Sequence, residues 1–240
     1  MIRGMLIAAA WGVICAAALA AVVTGEERSG REVKVVCFGD SITEGYSVDG
    51  QLKTTYPGLL QGVLDEIEGK GRFKVVNCGI SGQDTRQGLA RIDRVLEEEK
   101  PDWMLVLYGT NDLWTGRKIS VEETEANLRE MLSRVKGAGA RCIIGTMIPV
   151  WGFDEKVGER NKIIRKVAKE AGVPVAETGE AFEGAIRKAG ERAKRAAWES
   201  VYQVEGDEFV HPNDAGNRLL AERWGEALRG AIAGGGSGGK

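Results

Sequence analysis

The sequence predicts one α/β domain, three layers deep, with a five-stranded parallel sheet between two layers of helices. Three observations lead there. Five short apolar, β-branched runs recur along the chain, amphipathic segments of helical period separate them, and the runs themselves are apolar almost without a break. Unbroken apolar strands are what a sheet covered on both faces requires, and strand–helix alternation demands parallel pairing through right-handed crossovers. At 240 residues the chain is long enough for one well-buried core and needs no second domain.

Each element has its own warrant. The strand runs are residues 33–38, 73–77, 103–108, 141–147 and 173–176, rich in Val, Ile, Leu and Phe. Helical periodicity covers 56–67, 85–98, 121–136 and 155–171, with further helices near 180–199 and 213–232. Pro57 falls at a helix start, Pro101 and Pro174 stand at strand entry, and Gly172 stands where the preceding helix should stop. The chain shows no internal repeat, and the stretch from Gly234 has the composition of a flexible linker, so residues 233–240 are expected to be a tail.

Before the first strand comes one arginine, an unbroken apolar run over residues 5–23 and a polar spacer over residues 25–32. This is the pattern of an export signal in residues 1–24, with Ala18 and Ala20 fitting cleavage after Ala20. The run is also just long enough to span a bilayer, so a retained anchor is the alternative. Cys15 follows Ile14 rather than a small residue, which argues against lipidation. Beyond that segment remain Cys37, Cys78 and Cys142, expected to be buried free thiols, with a Cys37–Cys78 disulfide as the alternative if their side chains face each other.

Charge excludes other classes of partner. The formal net charge is −2, and cations are interleaved with acids along the helices instead of forming a basic face, so nucleic acid is not expected. A single histidine and no paired-cysteine motif argue against a zinc site. The glycine-containing "GISG" invites a phosphate-loop reading but lacks the spacing of either nucleotide-binding fingerprint.

In this fold class ligands sit outside the carboxyl ends of the strands. The residues following the first three strands are "GDSIT" (39–43), "NCGISGQDT" (77–85) and "YGTND" (108–112), and "GDEFVHPNDAGN" (206–217) carries the only histidine ahead of the last helix. Ser41 with Glu44 reads as a capping box at a helix start. Ser41, His211 and an acid are also the residue types of a nucleophile, its base and the base's orienting group. Gly79 and Asn111 are candidates to donate hydrogen bonds to an oxyanion. Tyr108, Trp114, Trp151 and Phe153 lie in or beside these loops, as core packing or as pocket lining.

These four stretches, in this order, resemble the four blocks of the SGNH (GDSL-type) hydrolases. The resemblance extends over residues 33–228 and implies a flavodoxin-like α/β/α fold and a serine hydrolase that needs no metal or cofactor. It implies Ser41 as nucleophile, His211 as base, and the Ser41 N–H, Gly79 N–H and Asn111 side chain as oxyanion donors. The family carries its acid three residues before the histidine, usually as Asp. Here Glu208 has that place, Asp207 is the alternative, and a third reading has neither acid at His211, with a backbone carbonyl in its stead. The substrate expected is an acetyl or other short-chain ester, such as an acetylated saccharide, acted on outside the cytoplasm. Alternatives are an O-acyltransferase, a lysophospholipase or thioesterase, and a non-catalytic carbohydrate- or partner-binding domain. Any membrane contact would run through residues 5–23.

Overall fold

The computed structural model describes residues 31–48 and 52–235. Residues 1–30, which hold the candidate export signal, and residues 236–240 lie outside them. Five parallel strands, β1 (Val33–Gly39), β2 (Phe73–Gly79), β3 (Trp103–Leu107), β4 (Arg141–Gly145) and β5 (Val175–Ala176), stand in the order β2-β1-β3-β4-β5. Among the described residues the α-helices are α1 (Ser41–Glu44), α2 (Tyr56–Glu68), α3 (Thr85–Glu99), α4 (Val121–Gly137), α5 (Asp154–Ala171), α6 (Thr178–Ala189), α7 (Arg195–Trp198) and α8 (Asp214–Gly235).

Strand periodicity divides the core in two. On β1, Val35 and Cys37 face one layer while Val36 and Phe38 face the other; on β3, Trp103, Leu105 and Leu107 part from Met104 and Val106 in the same way. The first face packs against α2, α6 and α8, with Tyr56, Leu60, Phe182 and Trp224 buried there, and the second against α3, α4 and α5, with Ile92, Leu128 and Ile164. Burial of this kind contributes roughly 1.5–3 kcal/mol for each large apolar side chain.

The same alternation rules out the Cys37–Cys78 disulfide. Cys78 is paired in register with Phe38, not Cys37, so the two sulfurs point to opposite faces, and all three described cysteines are free thiols.

Three elements differ from the sequence expectation. The fifth strand is only two residues long, pairing Ile144 with Val175 and Gly145 with Ala176 at the sheet's edge. The expected helix over residues 180–199 is two helices, because Gly190 follows α6 with φ +159° and the chain turns before α7. α8 continues through Gly234 to Gly235, into the expected tail, since helix propagation over Ala231 to Ala233 carries the glycines with it. Among the described residues no helix is long and apolar enough to cross a membrane.

Candidate active site

Chain order reverses between β1 and β3, which are neighbours in the sheet, so the loops after them splay apart and leave a crevice at the strand ends. Ser41 follows β1 at one wall of this crevice and Asn111 follows β3 at the other.

Ser41 is not the cap of its helix. Asp40 is the N-cap, its side chain accepting the Ile42 N–H at 3.0 Å, and Ser41 is the first helical residue. The Ser41 hydroxyl is thereby left for another partner. Glu44 does not close a capping box either; it accepts hydrogen bonds from the backbone N–H and the hydroxyl of Ser81, tying α1 to the loop after β2. α1 is fixed from beneath by Thr43, whose hydroxyl lies 3.0 Å from the Tyr56 hydroxyl.

His211 Nε2 lies 2.8 Å from Ser41 Oγ, and its Nδ1 lies 2.7 Å from a carboxylate oxygen of Glu205. A carboxylate can only accept, so Nδ1 carries the proton and Nε2 presents a lone pair to the Ser41 hydroxyl. The same Glu205 oxygen accepts the His211 backbone N–H at 3.1 Å. Tyr46, 45% exposed, packs its ring 4.6 Å from the imidazole.

The acid at the histidine is therefore Glu205, and neither Glu208 nor Asp207 reaches it. The loop before His211 is a small antiparallel excursion: Tyr202 bridges to Pro212, Gln203 N–H donates to the His211 carbonyl, and Glu205 and Glu208 bond each other's backbone across a tight turn at Gly206. That turn folds Glu205 back beside His211. It throws Asp207 fully into solvent, where it pairs with Arg195 at 3.3 Å, and leaves Glu208 exposed. The acid stands six residues before the histidine because cross-strand pairing, not helical or local spacing, sets the contact.

The loop is anchored at both ends. Gln203 donates its side-chain amide to the Tyr46 and Pro212 carbonyls and accepts the Val48 N–H. Asn217, in "PNDAGN", is buried, donates to the Pro212 carbonyl and accepts the Tyr56 N–H at 2.9 Å. Sequence reasoning passed over Gln203 and Asn217; the second amide of "HPNDAGN", inside the last helix, was the available signal for Asn217.

Of the candidate oxyanion donors, Asn111 and the Ser41 N–H lie in the crevice and Gly79 is already engaged. The Gly79 N–H donates to the Asn77 side chain at 2.9 Å, and a Cβ at Gly79 would fall inside the backbone of Glu44, so this glycine serves close packing of β2 under α1. Asn111 Nδ2 donates to the Gln83 carbonyl at 2.9 Å and lies 3.5 Å from Asp40. One peptide before Gln83 stands Gly82, at φ +75°, whose N–H meets no acceptor among the described residues; nor does the Ser41 N–H. Asp112, next to Asn111, accepts from the Thr85 N–H, the Thr85 hydroxyl and the Thr124 hydroxyl, which pins the β3 loop to the starts of α3 and α4.

One further acid borders the site. Burial pushes the Asp40 carboxyl up to about 7, partly offset by the Ile42 N–H bond and by the charge His211 can carry. Tyr108 is buried against Phe38. Trp114 meets Phe153 edge-on, and Trp151 packs on Trp198 and Phe209. Among the described residues no cluster of three or more His, Cys, Asp or Glu side chains could hold a metal ion.

The chain is similar in sequence and in fold to known proteins. The chain is 27% identical to an acetylxylan esterase of Geobacillus stearothermophilus over 208 residues, covering 78% of this chain and 90% of that one. It is 33% identical over 142 residues to thioesterase 1/protease 1/lysophospholipase L1 of Escherichia coli K12, covering 59% of this chain and 64% of that one. The crystal structure of Axe2, an acetylxylan esterase from G. stearothermophilus, superposes with TM-score 0.67 at 24% identity over 82% of this chain and 94% of that one, a likeness of fold. Residues 37–219 match the model of the GDSL-like lipase/acylhydrolase family, so the chain belongs to that family and is a carboxylic ester hydrolase of the SGNH type.

Proposed function

We propose that this protein is an exported serine esterase that removes acetyl or other short acyl groups from a saccharide through an acyl-enzyme on Ser41. The observation that carries the reading is the continuous relay Ser41–His211–Glu205, with contacts of 2.8 and 2.7 Å. Ser41 Oγ attacks the ester carbonyl while His211 Nε2 takes its proton. Glu205 holds the tautomer and stabilises the imidazolium. The carbonyl oxygen, now an oxyanion, accepts from the Ser41 N–H, the Gly82 N–H and the Asn111 amide, in place of the Gly79 N–H. Collapse expels the alcohol, which takes the proton from Nε2. Water then attacks the acyl carbonyl, giving a proton to Nε2; collapse breaks the bond to Ser41 Oγ, which takes that proton back as the carboxylic acid leaves.

The saccharide acetyl substrate is supported by the similarity to two proteins named acetylxylan esterase, from G. stearothermophilus and Xylanibacter ruminicola. Export is supported by the apolar run over residues 5–23 and by a 29% identical relative, a lipoprotein of Bacillus subtilis.

The test uses the purified protein with p-nitrophenyl esters of two to eight acyl carbons and with acetylated xylooligosaccharides. Turnover is expected to peak at acetyl, and a fluorophosphonate should add to Ser41 alone. Ser41→Ala should lose activity by about 10⁴-fold or more. No acetate release and no labelling of Ser41 would overturn the reading, and product esters appearing faster than free acid would make the protein an acyltransferase.

A further inference from the structure

We infer that Arg91 is a positioning residue for the oxyanion hole, acting on Asn111 and Gly82 through Gln83. The inference rests on the esterase reading above. Arg91 is half-buried on α3, behind the crevice, and touches none of the reacting groups. Its Nη2 donates to the Gly39 carbonyl at 3.0 Å, the Cys78 carbonyl at 2.7 Å and the Tyr108 hydroxyl at 2.7 Å. These oxygens stand at the ends of β1 and β2 and just past β3, so one guanidinium ties together the three strand ends whose loops build the site. Its plane also rests on the Phe38 ring, 4.2 Å from the centroid.

The remaining contact reaches forward. Arg91 Nε donates to Gln83 Oε1 at 2.6 Å, and the Tyr108 hydroxyl donates to the same oxygen at 3.2 Å. Burial raises the Tyr108 phenol well above its ordinary range, so it remains a neutral donor. With its side chain held from behind by two donors, Gln83 is fixed in orientation, and its carbonyl on the other side holds Asn111 Nδ2 at 2.9 Å. The peptide joining Gly82 to Gln83 belongs to the same rigid unit. Gly82 has a left-handed conformation, its carbonyl accepts from the Arg117 guanidinium at 2.8 Å and Ser81 donates to Glu44, so the turn is held from outside by these contacts and from behind, at Gln83, by Arg91. Lysine could not replace this arrangement fully, because one ammonium nitrogen cannot stand both where Nε meets Gln83 and where Nη2 meets the strand-end oxygens.

Oxyanion donors act by being fixed before charge develops, and misplacement by about 1 Å can cost on the order of 10² in rate. Arg91→Met should therefore lower kcat for p-nitrophenyl acetate by about 10- to 100-fold with KM within about twofold. Arg91→Lys should recover part of that loss. The Asn111 side-chain amide resonance, assigned by its disappearance in Asn111→Ala, should shift in Arg91→Met, a readout independent of turnover. Gln83→Met, which cuts the relay and leaves the strand-end clamp, should lower kcat by about tenfold and serves as the deciding variant if Arg91→Met does not fold. Full kcat in Gln83→Met, or a KM rise with kcat unchanged and the Asn111 resonance unmoved in Arg91→Met, overturns the inference. Failure of the wild type to hydrolyse any ester sinks the esterase reading instead, and the resonance shift still tests the contact chain.

Discussion

Ser41 and His211 meet at 2.8 Å but are held there by opposite means. Ser41 and Asn111 stand on short connections from buried strands and Gln83 on the connection from the half-buried edge strand β2, and their place follows from sheet register, the Asp40 cap and the Arg91 clamp. His211 and Glu205 stand on a loop that joins α7 to α8, paired mainly with itself and moored by side-chain amides to the Tyr46 segment and to α2. One half of the relay is set by the sheet, the other by a turn. A site divided this way gains a wall around Ser41 and Asn111 set by the sheet, while His211 and Glu205 depend on a turn held by local hydrogen bonds and by the buried Tyr202 and Phe209 beside them.

The sharpest way to break this comparison is at the turn. Glu205→Gln should cut kcat by up to about 10⁴-fold, the scale of losing the carboxylate behind a catalytic imidazole, whereas Glu208→Gln and Asp207→Asn should stay near wild type. A large loss in Glu208→Gln alone would mean that the turn is re-formed in the working enzyme. Next in size, Gln203→Ala removes three hydrogen bonds that moor the loop and should destabilise the protein by about 2 kcal/mol. Activity should fall with it, as read by denaturant unfolding beside kcat; an unchanged loop would move the mooring to Asn217.

On the sheet side the informative residue is Asp40. Its carboxyl is raised to about 7 by burial, above its unfolded value near 4, so the folded state binds the extra proton between those limits. Stability should then fall as pH rises from about 4 to about 7 and level off above, a loss of a few kcal/mol in all. Asp40→Asn keeps the helix cap and should flatten that slope, measured as unfolding free energy against pH. A slope equally steep in the variant would assign it to other groups. The smallest effect is expected at Tyr46, where Tyr46→Ala removes an aromatic contact worth about 0.5–1.5 kcal/mol and should lower kcat severalfold at most.

The division also explains what could be read in advance. Strand alternation, glycine stops and the blocks after β1, β2 and β3 are local patterns, so the parallel sheet and the meeting of Ser41 with Asn111 at one edge were legible in the chain. Two things were not. Asp40 displaced Ser41 from the cap because N-cap preference is shared by Asp and Ser, and only backbone dihedrals choose between neighbours. The acid was missed because Glu205 meets His211 across a turn whose register depends on Gly206, whereas counting back three residues assumes a fixed local spacing. Gly79 stands out in the chain as a glycine whose N–H could approach a ligand, whereas its place in the fold is set by close contact with Glu44 and its N–H meets Asn77.

The placing of the thiols on opposite faces of the sheet bears on how the molecule matures. Cys37 and Cys142 are sealed in separate cores, and desolvation holds all three described thiols above their ordinary pKa, so none is poised as a thiolate. Among the described residues the fold is held with no covalent cross-link to make or reshuffle, its three thiols each packed within one face of the sheet.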